Sequence, residues 1–119
     1  MGYQERRAEL IAKRAAPHLE PGEQIQTGFI ALTGWLIFTV PAATVVATDR
    51  AILVVGRDRA QRLPRDVRFG KPTGMYYKIE LDRRYKVHRQ FYPELTAADE
   101  ALGEMQDRSN RPENGGSLD

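Results

Sequence analysis

Phe29-Ile30-Ala31-Leu32-Thr33-Gly34-Trp35-Leu36-Ile37-Phe38-Thr39-Val40-Pro41-Ala42-Ala43-Thr44-Val45-Val46-Ala47-Thr48 holds no charged residue. Twenty apolar and small residues reach the length a bilayer-spanning helix needs. Gly34, Pro41 and four threonines argue against that reading, because they weaken both insertion and helix propensity. Val, Ile, Phe, Trp and Thr are strand formers, and Thr33-Gly34 and Pro41 punctuate the run. The stretch is therefore read as strands.

Working outward, the pattern stays that of a meander. Val45 to Val55 is broken only by Asp49-Arg50, a turn pair between two apolar runs. Gly56-Arg57-Asp58-Arg59 is a second turn, leading to a short strand over 60–64 that Pro64 closes or marks as an edge. Residues 65–74 form a polar connection with Gly70, Pro72 and Gly74. Met75, Tyr77, Ile79 and Leu81 alternate with Tyr76, Lys78 and Glu80, a period-two strand with one buried face. Tyr85, Val87, Arg89 and Phe91 repeat the pattern after Asp82-Arg83 and complete a hairpin.

Helices are predicted at both ends. Tyr3, Leu10, Ile11, Ala15 and Leu19 recur near helical spacing, and Pro17 should kink or end that helix near Ala16. Leu95, Ala98, Leu102 and Met105 form one stripe on a helix over 93–106 that opens on Pro93. The last residues, 107–119, are rich in Asp, Asn, Ser, Gly and Pro, and are expected to form a disordered tail. The organisation expected is an amphipathic helix over 1–20, a domain over 21–106, and the tail.

The 119 residues suit one domain, with 41% hydrophobic and 29% charged residues, so wholesale disorder is excluded. Without cysteine there is no disulfide framework, thiol chemistry or iron–sulfur cluster. The first residues carry both signs of charge and no apolar core, unlike a signal peptide, and a cytoplasmic location is expected. Charge is segregated. Residues 49–92 hold twelve Lys/Arg against five Asp/Glu, whereas 93–119 hold two against seven.

A helix, six or seven short antiparallel strands and a closing helix is the layout of the pleckstrin-homology superfold. Pro21-Gly22-Glu23, then Val45 to Val55 around Thr48-Asp49-Arg50, then Arg62-Leu63-Pro64 resemble bacterial PH-like domain proteins. Phe69-Gly70-Lys71-Pro72-Thr73-Gly74-Met75-Tyr76 and Tyr85-Lys86-Val87-His88-Arg89-Gln90-Phe91 are similar to small actinobacterial proteins of this kind. The resemblance implies an α+β fold: a half-open antiparallel β-barrel capped by the C-terminal helix, with the N-terminal helix as an addition. It carries no shared catalytic residues.

Chemistry is sparse. Gly70-Lys71-Pro72-Thr73-Gly74 lacks the earlier glycine and the Ser or Thr after lysine that a phosphate loop needs. Both serines, Ser109 and Ser117, lie in the tail, and His18 and His88 fall on different elements. No enzyme activity, metal or cofactor is expected. Two surface features remain. Arg57, Arg59, Arg62, Arg65, Arg68 and Lys71 form a basic run that either captures an anion or solvates an edge. Trp35, Leu36 and Phe38 lie in an apolar segment that is either a buried strand or an exposed interaction loop.

The leading expectation is a non-enzymatic module contacting a protein partner or a second copy. Tyr3, Leu10, Ile11 and the Trp35 segment offer more apolar surface than one small barrel needs. The alternative is binding to an anionic membrane through the Trp35 segment and the basic run. Nucleic acid ranks last, since the run has no interleaved aromatics for base stacking.

Overall fold

The computed structural model describes residues 2–35 and 38–110, with backbone only for Tyr3, Gln4, Trp35 and Asn110. Helix α1 (Tyr3–Ala15) passes into a 3-10 turn (Ala16–His18). Pro17, having no N–H to donate, sits inside that turn and ends the α-helix. Six strands follow: β1 (Ile25–Trp35), β2 (Phe38–Thr48), β3 (Ala51–Val55), β4 (Ala60–Pro64), β5 (Tyr76–Glu80) and β6 (Arg84–His88). A 3-10 turn (Arg89–Phe91) then leads into helix α2 (Tyr92–Asn110).

The strands form one antiparallel sheet in the order β4-β3-β2-β1-β6-β5, and the sheet is not closed. β1 and β6, which join the two halves of the sheet, share a single registered pair, Leu32 with Lys86.

Both faces of the β1–β3 region are covered, which is why its strands read as unbroken apolar runs rather than alternations. Register places Gly28, Val46 and Leu53 on one face and Phe29, Val45 and Val54 on the other. Helix α1 covers the first face with buried Ile11 and Ala15, so closely that a Cβ on Gly28 would lie 2.6 Å from Ile11 Cγ2. On the second face, Phe29 meets Phe69 edge to face, and Asp99 of α2 accepts the Phe69 amide. Leu95, Ala98 and Leu102 bury the α2 stripe. The N-terminal helix therefore shares the core of the sheet. Ile11 is spent on that core, Leu10 remains 45% exposed, and the Tyr3 side chain lies outside the described residues.

Three details differ from the sequence reading. Gly34 and Pro41 do not break the strands they punctuate: β1 and β2 run on through them to the facing pair Trp35 and Phe38. Pro41 is accommodated because the register slips beside it, between Ala31 and Leu32. The last strand stops at His88, whose Nδ1 accepts the Gln90 amide and caps the 3-10 turn. Helix α2 continues past Gln106 to Asn110, with Gln106 held by Arg68 and Arg108 Nε donating to the Glu104 carbonyl. The tail expected from 107 thus begins no earlier than 111, and 111–119 lie outside the described residues.

Candidate functional site

The β1–β2 hairpin outruns its neighbours. β2 pairs with β3 only through residues 44–47, and β1 meets β6 only at Leu32. Among the described residues, 33–35 consequently pair only with β2, and 38–43 only with β1, forming a two-stranded ribbon beyond the edge of the sheet. Phe38 is 73% exposed and Val40 56%. Gly34 makes this ribbon possible: its φ is +133°, and a Cβ would fall 1.9 Å from the Phe38 carbonyl oxygen. Leu36 lies outside the described residues, as does the Trp35 side chain.

Antiparallel alternation brings two charged turns to the base of this ribbon, 56–59 between β3 and β4 and 81–83 between β5 and β6. A concavity of about 300 Å³ there is lined by Thr33 and Ala42 of the ribbon and by Arg57, Arg59, Arg83 and Arg84. A second, of about 470 Å³, adds Lys78 and Lys86. Together the two hold six cations against the three carboxylates Asp58, Glu80 and Asp82. Arg59 pairs with Asp82 at 3.4 Å, and Arg84 with Glu80 at 3.1 Å. Asp82 also accepts from the Tyr85 hydroxyl at 2.9 Å; burial and that carboxylate push the tyrosine up to about 12. Arg57 and Arg83 make no side-chain hydrogen bond or ion pair among the described residues.

The remaining members of the basic run lie elsewhere, so the run is not one patch. Arg62 forks onto buried Glu23 at 3.0 and 2.9 Å and donates to the His18 carbonyl at 3.1 Å. Thr48 Oγ1 also donates to Glu23, and the Glu20 amide reaches it at 2.8 Å. The guanidinium first, against opposition from burial, with the Glu20 amide and Thr48 assisting, holds the Glu23 carboxyl down at about 2. Arg65 is buried and ties the sheet to α2, donating to the carbonyls of Thr48 at 2.7 Å and Ala98 at 2.9 Å. Burial lowers its pKa. Arg68 donates to Gln106 at 2.6 Å, and Lys71 is exposed on the long connection. Of the six cations singled out from sequence, Arg57 and Arg59 are at the ribbon.

The amides of Phe69 and Gly70, at the mouth of the glycine-containing connection, point at the Asp99 carboxylate at 2.8 and 2.9 Å, where a phosphate loop would present them to an anion. Among the described residues, no three His, Asp or Glu side chains group so as to hold a metal ion. No helix among them is long and apolar enough to cross a membrane, and the described residues of the uncharged stretch lie in β1 and β2.

Arg83, Arg84, Lys78 and Lys86 escaped the sequence reading because they belong to a hairpin far along the chain. Their signal was available: in an antiparallel meander, every second turn falls at the same end of the sheet. Comparison with known proteins finds no family model, no curated protein and no solved structure that matches this chain.

Proposed function

We propose that this chain is a non-enzymatic docking module of PH-like architecture, and that its binding surface is the ribbon end of the sheet. The strand order, with one C-terminal helix packed over the open sheet, supports the PH-like reading. The observation that carries the function is a juxtaposition. An uncharged ribbon exposing Phe38 and Val40 rises from a ring of arginines, two of which have no partner among the described residues. A two-stranded ribbon is marginal alone, and unpaired apolar strands are usually covered. Pro41 and the register slip beside it guard β2 against indiscriminate strand addition. That combination favours a protein surface.

The excess of cations at the ribbon base favours a second reading, an anionic membrane surface receiving the tip. One experiment separates them. A photo-crosslinking residue is placed at Phe38, and a control at Glu9 on α1. The docking reading predicts discrete protein adducts from position 38 and none from position 9. No adduct at 38, together with sedimentation on phosphatidylglycerol vesicles that Phe38→Asp/Val40→Asp abolishes, assigns the surface to lipid.

A further inference from the structure

We infer that the partner at the ribbon end is a second copy of this chain, engaged head to tail through the outer face of α2. This rests on the ribbon end being a docking surface and names what it docks. Helix α2 carries five carboxylates and one arginine. Two of the five are occupied within the chain, Glu94 beside Arg7 at 3.8 Å and Asp99 by the Phe69 and Gly70 amides. Glu100, Glu104 and Asp107 are exposed, and their side chains make no hydrogen bond or ion pair among the described residues. Their spacing of four and three residues puts them on one stripe, opposite the buried Leu95, Ala98 and Leu102. Exposed Thr96 and Ala97 extend that stripe with small side chains, a flat seat for the Phe38 and Val40 ribbon.

The two surfaces cannot neutralise each other in one chain. β6 runs away from the ribbon, α2 starts beyond its far end, and the later half of α2 lies over Gln26 and Arg65 at the opposite pole. Uncompensated positive charge with an apolar tip at one pole, and uncompensated negative charge with a flat floor on α2, are satisfied together by a neighbouring copy. Such a contact uses different patches on the two partners, so it propagates into a ring or an open chain. Opposite potentials also set the order of assembly, and salt weakens it as the Debye length falls from about 10 Å at 0.1 M to about 3 Å at 1 M.

The test is mass in solution by light scattering, with charge-swapped variants. At low salt and high micromolar concentration, wild type should at least double the 13.5 kDa of one chain, and return to it at high salt. Arg57→Glu/Arg83→Glu makes both poles acidic, and Glu100→Lys/Glu104→Lys makes both basic, so each should stay monomeric alone. Mixed in equal amounts, every contact is again between opposite charges, and the doubled mass should return. All four positions are exposed, and unchanged thermal melts confirm folding. A wild type that is monomeric throughout, or a mixture that stays monomeric, overturns the inference. The tip variant Phe38→Asp/Val40→Asp separates it from the reading beneath: association that the charge swaps abolish and the tip variant retains supports the head-to-tail contact while removing the ribbon as the docking element.

Discussion

Replacing Glu23 with Gln tests what joins the N-terminal segment to the sheet. The carboxylate is fully buried and receives Arg62 on both oxygens, the Glu20 amide and the Thr48 hydroxyl. These hold its pKa at about 2, against 4.5 for the free group. At about 1.4 kcal/mol per pK unit, that difference corresponds to roughly 3 kcal/mol. Arg62 is one-third exposed and rehydrates when its partner is lost, so the net cost at neutral pH is about 2 kcal/mol. For a chain of this size that lowers Tm by about 8 °C. The pH dependence follows from the depressed pKa. The unfolded chain takes up the proton first, so the contribution is complete above about 4.5 and disappears as pH falls towards 2. Urea unfolding of wild type and Glu23→Gln at neutral pH, near pH 4 and near pH 2.5 reads this directly, and the gap between them should close with acid. A gap that is constant with pH, or below about 0.5 kcal/mol at neutral pH, refutes the reasoning. A cycle with Arg62→Gln should show the two substitutions to be strongly non-additive.

Gly28→Ala should cost about 1–3 kcal/mol, because its methyl meets Ile11 Cγ2 at 2.6 Å and the Val45 carbonyl at 3.1 Å. Hydrogen exchange should show α1 loosened, and a second substitution, Ile11→Ala, should restore little more than the clash. Tyrosinate absorbance should show one of the five tyrosines titrating near pH 12, and Tyr85→Phe should remove it. Because folding favours the neutral phenol, its contribution is intact below about 10 and fades between 10 and 12, so wild type should lose more stability than Tyr85→Phe over that interval.

The helices and most strand boundaries were legible because each depends on near neighbours in sequence: Pro17 closing α1, Asp49-Arg50 turning β2 into β3, the alternation of β5. The ribbon was not, since Gly34 and Pro41 are local breakers that pairing overrode. One takes a positive φ beside the outermost described pair, and the other sits beside a bulge. The division of the basic run was equally hidden. Arg62 and Arg65 look like Arg57 and Arg59 in composition, but their partners, Glu23, Gln26 and the Ala98 carbonyl, are 33 to 39 residues away. Glu23 itself follows Pro21-Gly22, a pair that marks a turn. Nothing in its neighbourhood announces a buried carboxylate until Arg62 is brought over it.

Trp35, the final residue of β1, is the only tryptophan in the chain, so its emission reports on the ribbon alone. Emission and acrylamide quenching, followed while mass is measured over a concentration series at low salt, test the docking surface most directly. The account predicts a blue shift and reduced quenching that track association, both absent in Glu100→Lys/Glu104→Lys. Association that proceeds with Trp35 emission and quenching unchanged would contradict it.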